Sequence, residues 1–173
     1  MIKKFSLIII IYLFFYSSAF ANEKIVCIDT NYIFKVSNAG KKFSDSLEKK
    51  IKNLNFDLEK YNKEKNDSEK KLLNQKNIIS KEEYNKNLSL LEVNVKKYNK
   101  SISLKQNEIN NFKKEAGIKF STELQIILED YSQKNSLLMI LKKENVLIGK
   151  SSTDITSEIL KIFNDKVSNL IKW

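Results

Sequence analysis

The chain of 173 residues contains no histidine, no proline and no arginine, and it has only three glycines and one cysteine. Without histidine, the commonest general base and metal ligand is missing, and neither a Ser/His nor a Cys/His catalytic pair can be assembled. Gly40, Gly117 and Gly149 lie too far apart to form a phosphate-binding loop. We therefore expect a protein that is not an enzyme and that holds no metal or cofactor.

All 31 basic residues are lysines, and they give the chain a net charge of +10. Specific nucleic-acid recognition favours the bidentate fork of arginine, so we expect no nucleic-acid partner. The positive excess is concentrated in residues 41–116, which hold 19 lysines and 12 acidic residues. These lysines can simply solvate exposed helices, or they can attract anionic partners, an anionic membrane surface included.

The N-terminus has the pattern of a secretory signal peptide over residues 1–21. Lys3 and Lys4 precede a mostly apolar segment from Phe5 to Tyr16, and Ala19-Phe20-Ala21 supplies the small residues that signal peptidase accepts. The apolar segment is shorter than the roughly 20 residues of a membrane span. We predict export with cleavage after Ala21.

The absence of proline matters most between Gly40 and about Asn135, where apolar residues recur at alternating intervals of four and three. This spacing predicts helices that pair along one narrow apolar seam. Ser80-Lys81-Glu82-Glu83 is a capping box that would start a second helix. We predict a helical hairpin over residues 41–116, with its tip near residues 77–80 and a length of roughly 60 Å. The seam residues are Leu47, Ile51, Leu54, Leu58 and Tyr61, and then Tyr84, Leu88, Leu91, Val95, Tyr98, Ile102, Ile109, Phe112 and Ala116.

Two departures from this spacing carry further predictions. Polar Lys65, Ser68 and Gln75 fall on seam positions, so we expect the middle of the arm to be loosely packed. After Phe112 the interval becomes four residues as far as Leu124, which indicates where the arm leaves its partner helix and docks on the rest of the protein.

The remaining mature residues, 22–40 and 117–173, predict a small body. We expect a strand over Lys24–Asp29, a short helix over Thr30–Val36, and a break at Asn38–Gly40 before the arm helix begins near Lys41. After Asn135, the apolar segments at 137–141 and 146–148 flank a polar turn and predict a strand hairpin. A terminal helix would follow, with Thr156 as its N-cap and a hydrophobic staple between Ile155 and Leu160.

The predicted first strand is apolar on both faces, although three strands and short helices give only a thin core. We therefore expect the body to oligomerise through Ile25, Val26, Cys27 and Ile28, with Cys27 acting as a small buried hydrophobe. The predicted fold class is α+β, mostly α, with a long antiparallel coiled-coil arm inserted in a small β-containing body that oligomerises.

The order of these segments resembles the Skp/OmpH family of periplasmic chaperones. The similarity runs from the signal peptide and Lys24–Asp29 through Ala39-Gly40-Lys41-Lys42 at the start of the arm. It continues to Leu138–Leu141, Val146-Leu147 and Asp154-Ile155-Thr156 before the terminal helix, and so covers essentially the whole mature chain.

This resemblance implies a periplasmic homotrimer whose arms enclose a cavity. It also implies an ATP-independent holdase that keeps unfolded outer-membrane proteins from aggregating before membrane insertion. The alternative is a coiled-coil spacer or adaptor of the cell envelope. Client contacts are expected from apolar residues off the seam and from neighbouring lysines: Phe56, Leu73, Ile78, Leu90, Leu104, Lys70, Lys71, Lys96 and Lys97.

Overall fold

The computed structural model describes residues 24–171, and the predicted signal peptide lies outside them. The chain forms strand β1 (Lys24–Ile28), helix α1 (Thr30–Val36), helix α2 (Asn38–Gln75) and helix α3 (Lys81–Asn135). Strand β2 (Leu137–Lys142) follows, then two short 3-10 turns at Lys143–Asn145 and Ser151–Thr153, and finally helix α4 (Thr156–Lys166). The predicted mostly helical fold with a small β-containing body is confirmed.

The two long helices pack against each other as an antiparallel hairpin, as the seam spacing predicts. At 1.5 Å per residue, the 38 residues of α2 make a helix of about 57 Å. The predicted cap at Ser80 is confirmed, because its hydroxyl oxygen accepts a hydrogen bond from the backbone N–H of Glu83 at 3.2 Å. Helix α3 continues past the base of the arm and ends at Asn135, beyond which Ser136 adopts a left-handed conformation.

The predicted break at Asn38–Gly40 is wrong, since these residues form the first turn of α2. Ser37 separates the two helices instead, and its side chain caps α2 by accepting the N–H of Gly40 at 3.1 Å. Gly40 allows α1 and α2 to approach closely here. A Cβ atom at this position would lie 1.7 Å from the carbonyl oxygen of Phe34.

Phenylalanine rings join the arm to the body. Phe112 of α3 stacks on Phe43 of α2 with ring centroids 5.3 Å apart. Two turns further along α3, Phe120 lies edge-on to Phe34 of α1 at 4.9 Å and also contacts Phe163 of α4 at 5.3 Å. The partner of α3 therefore changes from the arm to the body between Phe112 and Phe120, where the four-residue interval predicts it.

The predicted strand hairpin in the body is wrong. Strand β2 pairs in parallel with β1, so that Val26 lies opposite Ile140 and Ile28 opposite Lys142. The apolar segment Val146–Ile148 forms no strand, and Leu147 and Ile148 are 100% and 95% exposed. The residues that the structure describes thus form two strands rather than the expected three.

A polar network replaces the predicted cap of the terminal helix. Thr156 is the first residue of α4 rather than its N-cap, and Ile155 occupies the cap position without a side-chain hydrogen bond. The Thr156 hydroxyl accepts the N–H of Asp29 at 2.9 Å, which ties the end of β1 to the start of α4. Asp154 accepts the Thr156 N–H and pairs with Lys143 at 2.7 Å. Hydrogen bonds from Lys143 and Thr156 lower the pKa of Asp154 to about 2.

The core lies where α1, α3 and α4 pack against one face of the sheet. Its fully buried members include Ile33, Ala116, Ile159 and Phe163. At its edge the Tyr131 hydroxyl donates a hydrogen bond to Glu158, and this raises the pKa of Tyr131 to about 12.

Candidate functional site

The surface of the arm carries apolar side chains that the hairpin seam does not use. All five apolar residues predicted to contact clients are exposed: Phe56 by 67%, Leu73 by 65%, Ile78 by 80%, Leu90 by 53% and Leu104 by 55%. Single exposed apolar residues are common on soluble proteins. Five of them lie dispersed along the thin arm.

Lysines lie close to this apolar surface. The four predicted lysines, Lys70, Lys71, Lys96 and Lys97, are all exposed. Lys71 and Leu90 line one groove between the two arm helices, together with Leu72 and Leu91. The structure therefore brings one of the predicted lysines and one of the predicted apolar residues together in a single groove.

Phe56 lies on a second groove, nearer the body. It shares this groove with Leu54 of α2 and with Lys105 and Ile109 of α3. Lys105, which the sequence analysis did not single out, lines this groove together with Asp57, the carboxylate with which it pairs.

Sequence reasoning missed three exposed apolar residues on α3. Val93 is 60% exposed, Ile118 is 58% exposed and Ile126 is 55% exposed. Ile118 follows Leu104 by 14 residues, as Leu104 follows Leu90, and 14 residues are two heptads. Repeating the 14-residue step from Leu90 to Leu104 would have identified Ile118 from the sequence.

An aromatic and charged cluster holds the arm together at mid-length. The rings of Tyr61 and Tyr98 stack across the seam with centroids 3.3 Å apart. The Tyr98 hydroxyl donates to the carbonyl oxygen of Asp57 at 3.1 Å, and the Asp57 carboxylate pairs with Lys105. Desolvation is the main cause that raises the pKa of Tyr98, and the hydrogen bond to Asp57 raises the pKa of Lys105.

Beyond this cluster the seam becomes polar, as predicted. Lys65 and Gln75 are partly buried and Ser68 is exposed, while Leu72 is 8% exposed and marks where apolar packing resumes. The flexibility expected of this part of the arm stays a prediction.

Most of the strand predicted to mediate oligomerisation is buried within the single chain. Val26 is 6% exposed, Cys27 7% and Ile28 2%, and Cys27 is a free thiol. Ile25, however, is 48% exposed, and its partner Met139 on β2 is 49% exposed. One face of the small sheet therefore presents apolar side chains to solvent, and a role in association stays a prediction for these residues.

A large groove opens beside β2 in the body. Its volume is about 780 Å³, and Phe120, Leu124 and Leu128 of α3 form one wall. Ile140 and Leu141 of β2 form the facing wall. Within residues 24–171, no group of three or more histidine, cysteine, aspartate or glutamate residues could hold a metal ion.

No helix in the described part of the chain is both long enough and apolar enough to cross a membrane.

The fold and the exposed arm define a class of protein that offers an extended, basic and partly apolar surface on a small α+β body. The chain belongs to the family of OmpH-like outer membrane proteins, because the sequence model of that family matches residues 24–163. This match runs from the first residue of β1 to Phe163 in α4, and it confirms the resemblance seen in the sequence.

The fold is shared with a crystal structure from Caulobacter crescentus, an OmpH-like protein that its description proposes as an outer membrane chaperone. The two chains are 17% identical and superpose with a TM-score of 0.78 over 87% of the present chain and 89% of the Caulobacter chain. No curated protein matches the sequence.

Proposed function

We propose that this chain is an ATP-independent periplasmic holdase chaperone, which binds unfolded outer-membrane proteins and keeps them from aggregating before membrane insertion. The observation that carries the proposal is the arm surface, where Phe56, Leu73, Ile78, Leu90 and Leu104 are all more than half exposed among lysines. Family membership and the description of the Caulobacter relative support the same function.

The mechanism combines attraction by charge with adhesion by apolar contact. Exposed lysines act over roughly 8 Å at physiological ionic strength, so they raise the rate at which an acidic unfolded chain meets the arm. Dispersed apolar side chains then hold the client by contacts that are individually weak. Since no single contact is strong, the client can be released without ATP.

The proposal includes export, cleavage after Ala21 and assembly into a homotrimer through the body. A trimer would place three arms around one client, so that contacts from several arms add up through multivalency. Contact with an anionic membrane surface is a further part of the proposal, and it rests on the same arm lysines.

Light scattering tests the holdase activity. A urea-unfolded outer-membrane barrel protein is diluted into buffer with and without the purified mature chain, and the chaperone is expected to suppress the rise in scattering. Unchanged scattering at a molar excess of chaperone would contradict the proposal and favour the envelope spacer.

Charge reversal tests the role of the lysines. Replacing Lys96 and Lys97 by glutamate should slow capture of an acidic client at low salt, and the difference should shrink as salt is added. The matched control reverses two exposed body lysines, Lys35 and Lys161, and thus changes net charge equally. Equal effects of the two double variants would show that only net charge matters and that the arm is not the site of attraction.

A further inference from the structure

The outer half of the arm pairs an apolar segment of one helix with a polar segment of the other. Residues 84–95 of α3 include six apolar side chains: Tyr84, Leu88, Leu90, Leu91, Val93 and Val95. Residues 62–75 of α2, which lie against them in the hairpin, include only Leu72 and Leu73, and Leu73 is 65% exposed. The polar segment 62–75 is here called the cover. It offers too few apolar side chains to bury those of α3.

Burial in the outer arm reflects this imbalance. Between the tyrosine stack at mid-arm and the tip, a stretch that the structure describes throughout, Leu72 is the one fully buried residue. On α3, Leu90 and Val93 are more than half exposed, and Leu91 and Val95 are only partly buried. A seam with one buried side chain is expected to open locally at a small cost in free energy, while the rest of the protein stays folded.

Polar contacts do not hold the cover in place. Lys65 and Glu69 are both partly buried, but they pair with each other along α2 at 3.5 Å rather than with α3. Within residues 24–171, the polar side-chain contacts that join the two arm helices all involve Asp57, on the body side of the tyrosine stack. The groove around Leu72 is lined by amide side chains, which bond equally well to water when the cover moves away: Gln75, Asn87 and Asn94.

The cover can loosen without unwinding the rest of the arm. Its inner end is fixed by the stacked rings of Tyr61 and Tyr98, whose centroids are 3.3 Å apart. Its outer end is fixed by the turn at the tip, where Ser80 caps α3. Because both ends are held, the cover leaves α3 by losing helical turns of its own. This change is favoured by side chains that form helices poorly: Asn62, Asn66, Asp67, Ser68 and Asn74.

We propose that clients displace the cover, so that an apolar segment of an unfolded outer-membrane protein takes its place against residues 84–95 of α3. This inference rests on the proposed holdase function, and it assigns the surface that holds the client. Displacement gives the client Leu91 and Val95 in addition to the exposed Leu90 and Val93. The cover stays tethered beside the client, and its lysines favour acidic segments: Lys63, Lys65, Lys70 and Lys71. Cover and client compete for one surface, so the client can leave without ATP.

Cross-linking the cover to α3 tests the displacement. Gln75→Cys and Asn87→Cys lie on one groove, so a short bismaleimide joins them within one chain, in a background of Cys27→Ala. Joining them should raise the amount of chaperone that suppresses scattering of an unfolded barrel protein by roughly tenfold, the effect of losing about one buried apolar side chain. The matched control joins Tyr61→Cys to Tyr98→Cys, at the stack that already fixes the inner end of the cover. Since this link leaves the cover free, it should leave suppression unchanged.

A second test strengthens the seam without a cross-link. Lys65→Leu/Glu69→Leu replaces the partly buried ion pair by apolar side chains and keeps the net charge. This variant should show slower amide exchange in the cover and weaker holding of the client. The matched control is Glu48→Leu/Lys52→Leu, which replaces an exposed pair of the same four-residue spacing nearer the body and should do neither.

The outcomes separate displacement of the cover from the holdase activity itself. Failure of the unmodified chain to suppress scattering would overturn the holdase proposal and, with it, the inference that rests on it. If the unmodified chain suppresses scattering and the link between Gln75→Cys and Asn87→Cys changes nothing, displacement of the cover alone is overturned. Equal losses in the two linked variants would also overturn it, because the arm as a whole would then have to bend. Tighter holding by Lys65→Leu/Glu69→Leu would contradict it as well.

Discussion

Gly40→Ala should destabilise the protein, although alanine is the better helix former. Gly40 lies in the first turn of α2, where an alanine Cβ would stand 1.7 Å from the Phe34 carbonyl oxygen and 2.9 Å from its carbonyl carbon. Both atoms are backbone, so no side-chain rotation can relieve the contact. Helices α1 and α2 would have to separate by about 1.7 Å, the difference between the 1.7 Å contact and an ordinary contact of 3.4 Å.

The cost can be estimated from its parts. Overpacking a well-filled site costs about 1–3 kcal/mol, and here the displaced helix also carries Ile33 of the core. Alanine recovers about 1 kcal/mol of helix propensity relative to glycine. Because the contacted atoms are backbone, the upper end of this range applies, and about 3 kcal/mol less about 1 kcal/mol leaves a net loss of about 2 kcal/mol in the free energy of unfolding.

Gly117→Ala is the matched control, because an added Cβ there meets no atom within 4 Å. This substitution in the interior of α3 should stabilise the chain by about 0.5–1 kcal/mol. Urea unfolding followed by circular dichroism, at one protein concentration, measures both variants through the shift of the midpoint. If Gly40→Ala proved as stable as Gly117→Ala, the close approach of α1 and α2 would be refuted.

Three further predictions concern the body and the arm. The native state holds the pKa of Asp154 at about 2, so Asp154→Asn should lower the free energy of unfolding by about 1–2 kcal/mol at pH 7. This difference should disappear as the pH falls from about 4 to about 2, because the carboxylate becomes protonated in the native state too. An equal loss in urea unfolding at pH 7 and at pH 2 would refute the role of the charge facing Lys143. Tyr61→Phe removes a buried hydroxyl that has no hydrogen-bond partner among the described residues, so it should be neutral or stabilising in thermal melts. Tyr98→Phe removes the hydrogen bond to the Asp57 carbonyl oxygen and should cost about 1 kcal/mol. The reverse order of the two variants would contradict the hydrogen-bond assignment. Amide hydrogen exchange should be faster at residues 65–75 than in the strands, and uniform protection would contradict the looser seam.

Local patterns predicted most of the fold. The heptad seam, the Ser80 cap and the end of α3 at Asn135 all depend on residues close together in the sequence, and the structure confirms them. The changed interval after Phe112 likewise located the base of the arm, because a four-residue period turns the apolar face of a helix towards a new partner.

The errors arose where distant contacts decide the structure. Residues 146–148 have a strand-like composition, but periodicity cannot tell a strand from an exposed apolar loop. Asn38–Gly40 looked like a break because glycine is a poor helix former, yet the Ser37 cap and the tight approach to Phe34 keep Gly40 inside α2. Thr156 looked like an N-cap, but its hydroxyl is engaged by Asp29, 127 residues earlier.

The candidate site was only partly predictable. Counting heptad positions separated seam residues from exposed ones, so the exposure of Phe56, Leu73 and Leu90 followed from the sequence. The grooves depend on how two helices sit against each other, and the groove beside β2 depends on a parallel pairing that no local pattern reveals.

The pairing of β1 with β2 also determines the order in which the chain can fold. Asp29 and Asn38 find their hydrogen-bond partners only at Thr156 and Asn164, 127 and 126 residues later in the sequence. The arm hairpin, by contrast, closes within one contiguous stretch. Contacts of short sequence separation form faster, so the arm hairpin should form early. The body, which needs both ends of the mature chain, should form last.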